Sequence, residues 1–155
     1  MSSRETHPEA VAANFERAKQ RGTAKGLAYA GEITPGEAWQ LHDAGVALIV
    51  DVRTLPEWEF VGRVPASALV EWRRYGATQT NATFLDELMR VANPQEPVLF
   101  ICRSGVRSHH AADLASRSGF AHAFNVLEGF EGDLDGAAHR GSAGWRAAGL
   151  PWVQS

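Results

Sequence analysis

Three short apolar runs constrain the fold of this chain more than any other feature. They are Val46-Ala47-Leu48-Ile49-Val50-Asp51, Val98-Leu99-Phe100-Ile101-Cys102 and Ala123-Phe124-Asn125-Val126-Leu127. Each is too short for most helices, and near-continuous hydrophobicity is what a strand covered on both faces requires. Helical patterns separate them. Thr34-Pro35-Gly36-Glu37 opens one, with Thr34 as cap, Pro35 at the first helical position and Glu37 completing a capping box. That helix runs through Trp39 and Leu41 to a stop at Gly45. Ala82 to Val91 and Ser108 to Ser118 read as two more, the second ended by Gly119. Strands alternating with helices predict a parallel α/β sheet.

A chain of 155 residues fits one such domain. Ahead of it, Pro8 to Lys25 holds good helix formers with Val11, Phe15 and Ala18 on one stripe. Residues 1–26 are therefore expected to be a helical arm that packs weakly, and residues 27–155 the domain. Fifteen basic against 18 acidic residues, with no basic run, give no electrostatic footprint for nucleic acid or an anionic membrane. The polar start, Met1 to Pro8, is not followed by the apolar stretch of a signal or a membrane span, so a cytoplasmic location is expected. A single cysteine excludes an internal disulfide and a multi-cysteine metal cluster. His122 and His139 are too scattered for ligand spacing, and neither a metal nor a cofactor is expected.

The chemistry is concentrated after the second run, in Cys102-Arg103-Ser104-Gly105-Val106-Arg107-Ser108. In parallel sheets ligands gather beyond the carboxyl ends of strands, where Cys102 and Asp51 both fall. A loop from Arg103 to Arg107 that wraps the sulfur points backbone N–H groups inward, and the following helix adds its positive end. Such a site holds an anion, and it favours thiolate over thiol, where free cysteine titrates near about 8.5. Gly105 supplies positive φ at mid-loop. Ser104 and Ser108 offer hydroxyl donors, and Ser108 is a candidate helix cap.

These residues resemble the active-site loop of the rhodanese family of sulfurtransferases. Other segments resemble that family's signatures in order: Asp51-Val52-Arg53, Glu57-Trp58, Gly62-Arg63-Val64-Pro65-Ala66-Ser67, Asn125-Val126-Leu127-Glu128-Gly129-Phe130 and Trp145-Arg146-Ala147-Ala148-Gly149-Leu150-Pro151. The match runs from about Tyr29 to Val153. Departures from the pattern are Arg63 and Ala66 in the third segment and Glu128 ahead of Gly129 in the fourth. The stretch Glu131 to Gly141 is longer than the compact family ending, and is expected to lie over the pocket and select the acceptor.

The resemblance implies an α/β fold with about five parallel strands flanked by helices on both faces. It also implies an enzyme of the thiosulfate sulfurtransferase kind, with Cys102 as nucleophile and persulfide carrier. Arg103, Ser104, Gly105, Val106, Arg107 and Ser108 would bind a small anionic donor such as thiosulfate, with Arg103 and Arg107 orienting it. The acceptor would be cyanide or a thiol, including that of a thioredoxin-like protein.

Asp51 and Arg53 are read as supporting residues joined by an ion pair, and Glu57 and Glu59 as surface or scaffold. His109 and His110 are read as structural or solvent-facing, and Trp58, Trp72, Trp145 and Trp152 as core or rim packing. Two alternatives compete. One is a non-catalytic binding or sulfur-carrier module of the same fold. The other is a cysteine phosphatase or arsenate reductase, whose loops place five residues between cysteine and arginine. Cys102 and Arg107 enclose four, a ring better suited to one sulfur atom than to a phosphate.

Overall fold

A computed structural model, which describes residues 8–154, shows helices and strands alternating along the chain. In order they are α1 (Pro8–Lys25), β1 (Gly31–Ile33), α2 (Pro35–Asp43), β2 (Leu48–Asp51), α3 (Leu55–Phe60), β3 (Ala68–Leu69), α4 (Phe84–Val91), β4 (Val98–Ile101), α5 (Val106–Arg117) and β5 (Ala123–Val126). The three apolar runs become β2, β4 and β5, the middle of one sheet with order β1-β5-β4-β2-β3. Every pairing is parallel, with Asp51 opposite Ile101 and Phe100 opposite Asn125.

Strand alternation divides the core in two. From β4, Val98 and Phe100 pack with Cys102 among Phe84 and Leu88 of α4 and Ala111, Ala112 and Ala115 of α5. Leu99 and Ile101 face the other way, toward Ile33, Ala38 and Leu41, with Ala18 of α1 in the same cluster. The fold is the expected α/β layer structure. Trp58 and Trp145 are buried in it, Trp72 packs edge-on against Phe84, and the partly exposed Trp152 lies beneath Arg146 at the rim.

The short elements β1, α3 and β3 escape the apolar-run criterion because Glu32 interrupts the first, Glu57 and Glu59 the second, and the third has only two residues. The anticipated helix from Ala82 starts at Phe84, and α5 starts at Val106 rather than Ser108. The latter difference matters for the site.

The start of the anticipated arm, residues 1–7, lies outside the described residues. The rest of it, α1, is seated on β1 more closely than its thin apolar stripe suggests. Ala18 is fully buried. A Cβ on Gly22 would come 2.8 Å from the Gly31 Cα, and one on Gly31 would overlap the Ala18 carbonyl. This seat is backbone against backbone, so a count of apolar side chains does not reveal it.

Glu37 adds an electrostatic tie. Its carboxylate takes Arg17 Nε at 2.9 Å and Arg21 nitrogens at 2.8 and 3.1 Å while accepting the Thr34 amide at 3.0 Å. The Glu37 amide returns a bond to Thr34 Oγ1 at 3.2 Å, closing the capping box read from the sequence. Burial pushes this carboxyl up, but Arg21, Arg17 and the cap outweigh it and bring it from an ordinary 4.5 down to about 2. A depressed carboxyl stabilises the fold above its unfolded value and loses that contribution as pH falls through its folded value. Glu37→Gln is therefore expected to lower the unfolding free energy by roughly 1–2 kcal/mol at neutral pH. The gap between the two proteins should close as pH falls from 4.5 toward 2. Urea titrations across that range measure it, and a gap that stays constant with pH would exclude the ion pairs as its cause.

Candidate active site

Cys102 lies one residue past the end of β4, opposite Val52, whose amide donates to the Ile101 carbonyl at 2.9 Å. The chain turns there because an outside segment captures its carbonyls. Phe130 N–H donates to the Cys102 oxygen at 2.8 Å, and Glu131 and Gly132 N–H donate to the Arg103 oxygen at 2.9 and 3.2 Å. In trans peptides the N–H opposes the C=O, so the Arg103 and Ser104 amides point away from that segment, into the loop. Gly129 makes the approach possible. It has φ +64°, and a Cβ there would lie 2.5 Å from the Cys102 oxygen.

Gly105, at φ 109°, then starts α5, and Ser108 is not its cap. Gly105 N–H donates to Cys102 Sγ at 3.1 Å, and the Ser108 hydroxyl stands 3.3 Å from the same sulfur. Among the described residues no acceptor takes the amides of Val106, Arg107 and Ser108, the usual orphans of a helix start. The sulfur thus faces donors and the positive end of a helix. Cys102 is 1% exposed and Ser108 fully buried, Arg103 and Val106 are exposed, and Ser104, Gly105 and Arg107 lie between.

Arg107 does not hang free over the loop. Its two terminal nitrogens meet both oxygens of Glu57 at 2.8 and 3.0 Å, and Glu57 also accepts the amide and hydroxyl of Thr54 at the start of α3. Burial pushes the Glu57 carboxyl up, yet Arg107 and Thr54 hold it below the ordinary carboxylate range. For Arg107, burial favours the neutral form, but Glu57, the sulfur of Cys102 and Asp51 together keep the cation favoured.

Asp51 and Arg53 form a fully buried pair, with the Arg53 nitrogens 2.7 to 3.1 Å from the carboxylate. Arg53 also donates to the Gly62 carbonyl at 2.7 Å and lies 4.3 Å from the centre of the Phe130 ring. The pair thus packs under the residue that holds the Cys102 carbonyl. His109 bonds the Tyr29 hydroxyl through Nδ1 at 2.6 Å, and His110 stacks edgewise beside it.

A pocket of about 340 Å³ opens beside the loop, lined by Pro56, Arg73, Tyr75, Ala77, Arg103 and Arg107 among others. Arg74, also in its wall, pairs with Glu71 and Glu87, whereas Arg73 and Arg103 have no ion pair among the described residues. The 73–77 segment was not anticipated, since its side chains carry no motif and reach the loop only through the fold. Residues 131–141, expected to lie over the pocket, do not line it. They close on Asp135, whose Oδ1 accepts the Ala137 and His139 amides, each at 2.9 Å. Among the described residues no three His, Cys, Asp or Glu side chains converge as a metal-binding set. No helix among them is long and apolar enough to cross a membrane.

Gly129→Ala is expected to unsettle both backbone conformation and loop contact, costing about 2–4 kcal/mol of stability. It should also raise the alkylation rate of Cys102 by iodoacetamide as the sulfur loses its enclosure. A thermal melt and intact mass check both, and a variant of native stability would show that the close approach is not needed.

Known proteins resemble this chain in sequence and fold. The structure of Rv0390 from M. tuberculosis superposes with a TM-score of 0.72 at 47% identity, covering 82% of this chain and 99% of that one. The uncharacterized protein RP600 of Rickettsia prowazekii is 33% identical over 108 residues, 68% of this chain and 82% of its own length. Thiosulfate sulfurtransferase GlpE of Actinobacillus pleuropneumoniae is 29% identical over 120 residues, 77% of this chain and 90% of that protein. The model of the rhodanese-like domain matches residues 34–134, from the cap of α2 through the segment that clamps the cysteine loop. A match over well more than half the chain, spanning four of the five strands and the cysteine loop together, makes this protein a member of the rhodanese-like domain family.

Proposed function

We propose that this protein is a sulfurtransferase that moves a sulfane sulfur from a small anionic donor such as thiosulfate to a thiophilic acceptor. The observation that carries the reading is the enclosure of Cys102 Sγ by the Gly105 amide and the Ser108 hydroxyl in a four-residue ring, at the start of α5. Donors aimed at the sulfur stabilise it as thiolate, the nucleophilic form, and stabilise an anionic persulfide in the same place.

In the first half-reaction the Cys102 thiolate attacks the outer sulfur of thiosulfate. The S–S bond of the donor breaks, its electron pair leaves with sulfite, and Cys102 carries S–S⁻. In the second, cyanide or a thiolate attacks the terminal sulfur and leaves as thiocyanate or a new persulfide, restoring the Cys102 thiolate. Each step conserves charge and needs no proton donor, which suits a site whose histidine at 109 is engaged by Tyr29. With one cysteine in the chain, the acceptor is external, a cellular thiol or a thioredoxin-like protein.

Enclosure also supports sulfur over phosphorus. At 1% exposure Cys102 admits the projecting terminal atom of a sulfane donor more readily than the crowded centre of a phosphate ester. For the donor's charge, Arg73 and Arg103 are the available cations, since Arg107 is committed to Glu57. That the GlpE relative is a thiosulfate sulfurtransferase supports thiosulfate as the reference donor.

Incubation with thiosulfate should raise the intact mass by one sulfur, and Cys102→Ala should abolish the gain. No gain with thiosulfate, mercaptopyruvate or a protein persulfide would sink the reading, and aryl phosphate hydrolysis well above the Cys102→Ala control would replace it. Arg73→Ala and Arg103→Ala should each raise KM for thiosulfate about ten-fold while kcat changes by no more than about two-fold, the pattern of lost uniform binding. Steady-state kinetics in which kcat falls and KM holds would move both arginines out of donor binding.

A further inference from the structure

Behind the sulfur lies a buried pair whose chemistry the transfer steps do not use. The Ser108 hydroxyl stands between two acceptors, 3.3 Å from Cys102 Sγ and 2.6 Å from Asn125 Oδ1. It has one proton to give. Ser108 is fully buried and Asn125 is 4% exposed. Asn125 arrives on β5 opposite Phe100, on the face that Cys102 shares.

The other end of Asn125 fixes its orientation. Nδ2 donates to the Gly105 carbonyl at 3.2 Å. The carbonyl end, an acceptor only, therefore faces Ser108.

This geometry sets up a competition. When the sulfur is a thiol, its own proton can go to Ser108 Oγ while the Ser108 proton stays on Asn125, and all three groups are satisfied. An anionic sulfur has no proton to give and needs the hydroxyl as donor. Turning the hydroxyl toward it strands a buried amide oxygen, a cost comparable to the hydrogen bond gained.

We propose that Asn125 is a positioning residue that holds the Ser108 hydroxyl proton and so withholds part of the stabilisation of anionic sulfur at Cys102, keeping a persulfide there reactive toward its acceptor. The persulfide clause rests on the sulfurtransferase reading. The competition itself applies to the free thiolate and stands without it.

Other charged and titratable groups near the sulfur stay in place in this scheme. Arg107 from α5 is neutralised by Glu57 of α3, Asp51 of β2 is paired with Arg53, and Tyr29 is bonded to His109. The scheme predicts opposite signs for two neighbours. Removing Ser108 takes a donor from the anion, whereas removing Asn125 releases that donor to it. A merely structural role for Asn125 would disturb the loop in the same sense as loss of Ser108.

The test is the alkylation rate of Cys102 by iodoacetamide, read by intact mass, as the ratio of the rate about one pH unit below the midpoint measured for the wild type to the rate on each protein's own alkaline plateau. The ratio cancels changes in access. Asn125→Ala should raise it about three-fold and Ser108→Ala should lower it by a similar factor. The double variant should match Ser108→Ala. An unchanged or lowered ratio for Asn125→Ala, or a double variant that differs from Ser108→Ala, overturns the proposal.

Should Asn125→Ala fail to fold, Asn125→Asp serves instead. Its carboxylate grips the hydroxyl more firmly, so the ratio should fall, and fall less when Ser108 is also alanine; an equal fall in both backgrounds overturns the proposal. No sulfur donor enters the measurement, so its outcome is independent of whether thiosulfate loads the enzyme. With loaded protein, Asn125→Ala should discharge sulfur to cyanide several-fold more slowly than wild type, and an equal or faster discharge would refute the persulfide clause alone.

Discussion

The site depends on the capture of two carbonyl groups. Once the Phe130, Glu131 and Gly132 amides have taken the oxygens of Cys102 and Arg103, the planar peptides that follow must direct their N–H groups the opposite way. The direction of the loop amides is thus imposed from behind, by a segment that does not line the pocket. That segment is itself braced. Trp145 and Arg146 donate to the carbonyls of Gly129 and Phe130, and the Gly144 amide donates to Glu128 Oε1 at 2.8 Å. Glu128, with φ 66°, occupies a position where the family pattern has glycine, and its side-chain bond to Gly144 offsets part of that backbone cost. The departure noted in the sequence is accommodated by a contact this chain supplies for itself.

Sheet parity decides which groups can meet. Cys102 points to the face covered by α4 and α5, whereas the Asp51–Arg53 pair belongs to the opposite face with Phe130. A carboxylate that close in sequence alignment would oppose an anionic sulfur if it shared that face. Here its charge is balanced by Arg53 within a fully buried pair, and its influence reaches the loop through the position of Phe130 and, to a smaller degree, through its attraction for Arg107. The pair thus packs against Phe130 from the opposite face of the sheet.

What the sequence revealed follows from range. The strands showed because their apolar runs are contiguous, and the candidate cysteine loop stood out because strand end, cysteine, glycine and helix start adjoin. The Glu57–Arg107 pairing joins residues fifty positions apart and has no local mark. One half was nonetheless readable: Thr54-Leu55-Pro56-Glu57 repeats the capping pattern of Thr34-Pro35-Gly36-Glu37, and it does open a helix. Asn125 also left a signal, a lone amide inside the run Ala123 to Leu127. A buried polar group demands partners, and its partners turn out to be the loop. Nothing comparable marked the seat of α1, because Gly22 and Gly31 contribute by what they lack.

The charges around the pocket follow a division of labour. Four arginines approach it, and two are spoken for: Arg107 by Glu57, and Arg74 by Glu71 and Glu87. A bidentate guanidinium in a partly buried pair is costly to pull away, because its partner carboxylate would be left desolvated and alone. Arg107 therefore shapes the wall and contributes little net field to an incoming ion. Arg103 and Arg73 have no such partner among the described residues and are exposed to water, so an anion can exchange for solvent there at small cost. Two positive charges without an ion-pair partner among the described residues, beside a loop whose donors face the sulfur, would attract a dianion without immobilising it. In the proposed transfer, a donor that leaves as sulfite needs that balance, since a tighter grip would hold the product as firmly as the substrate.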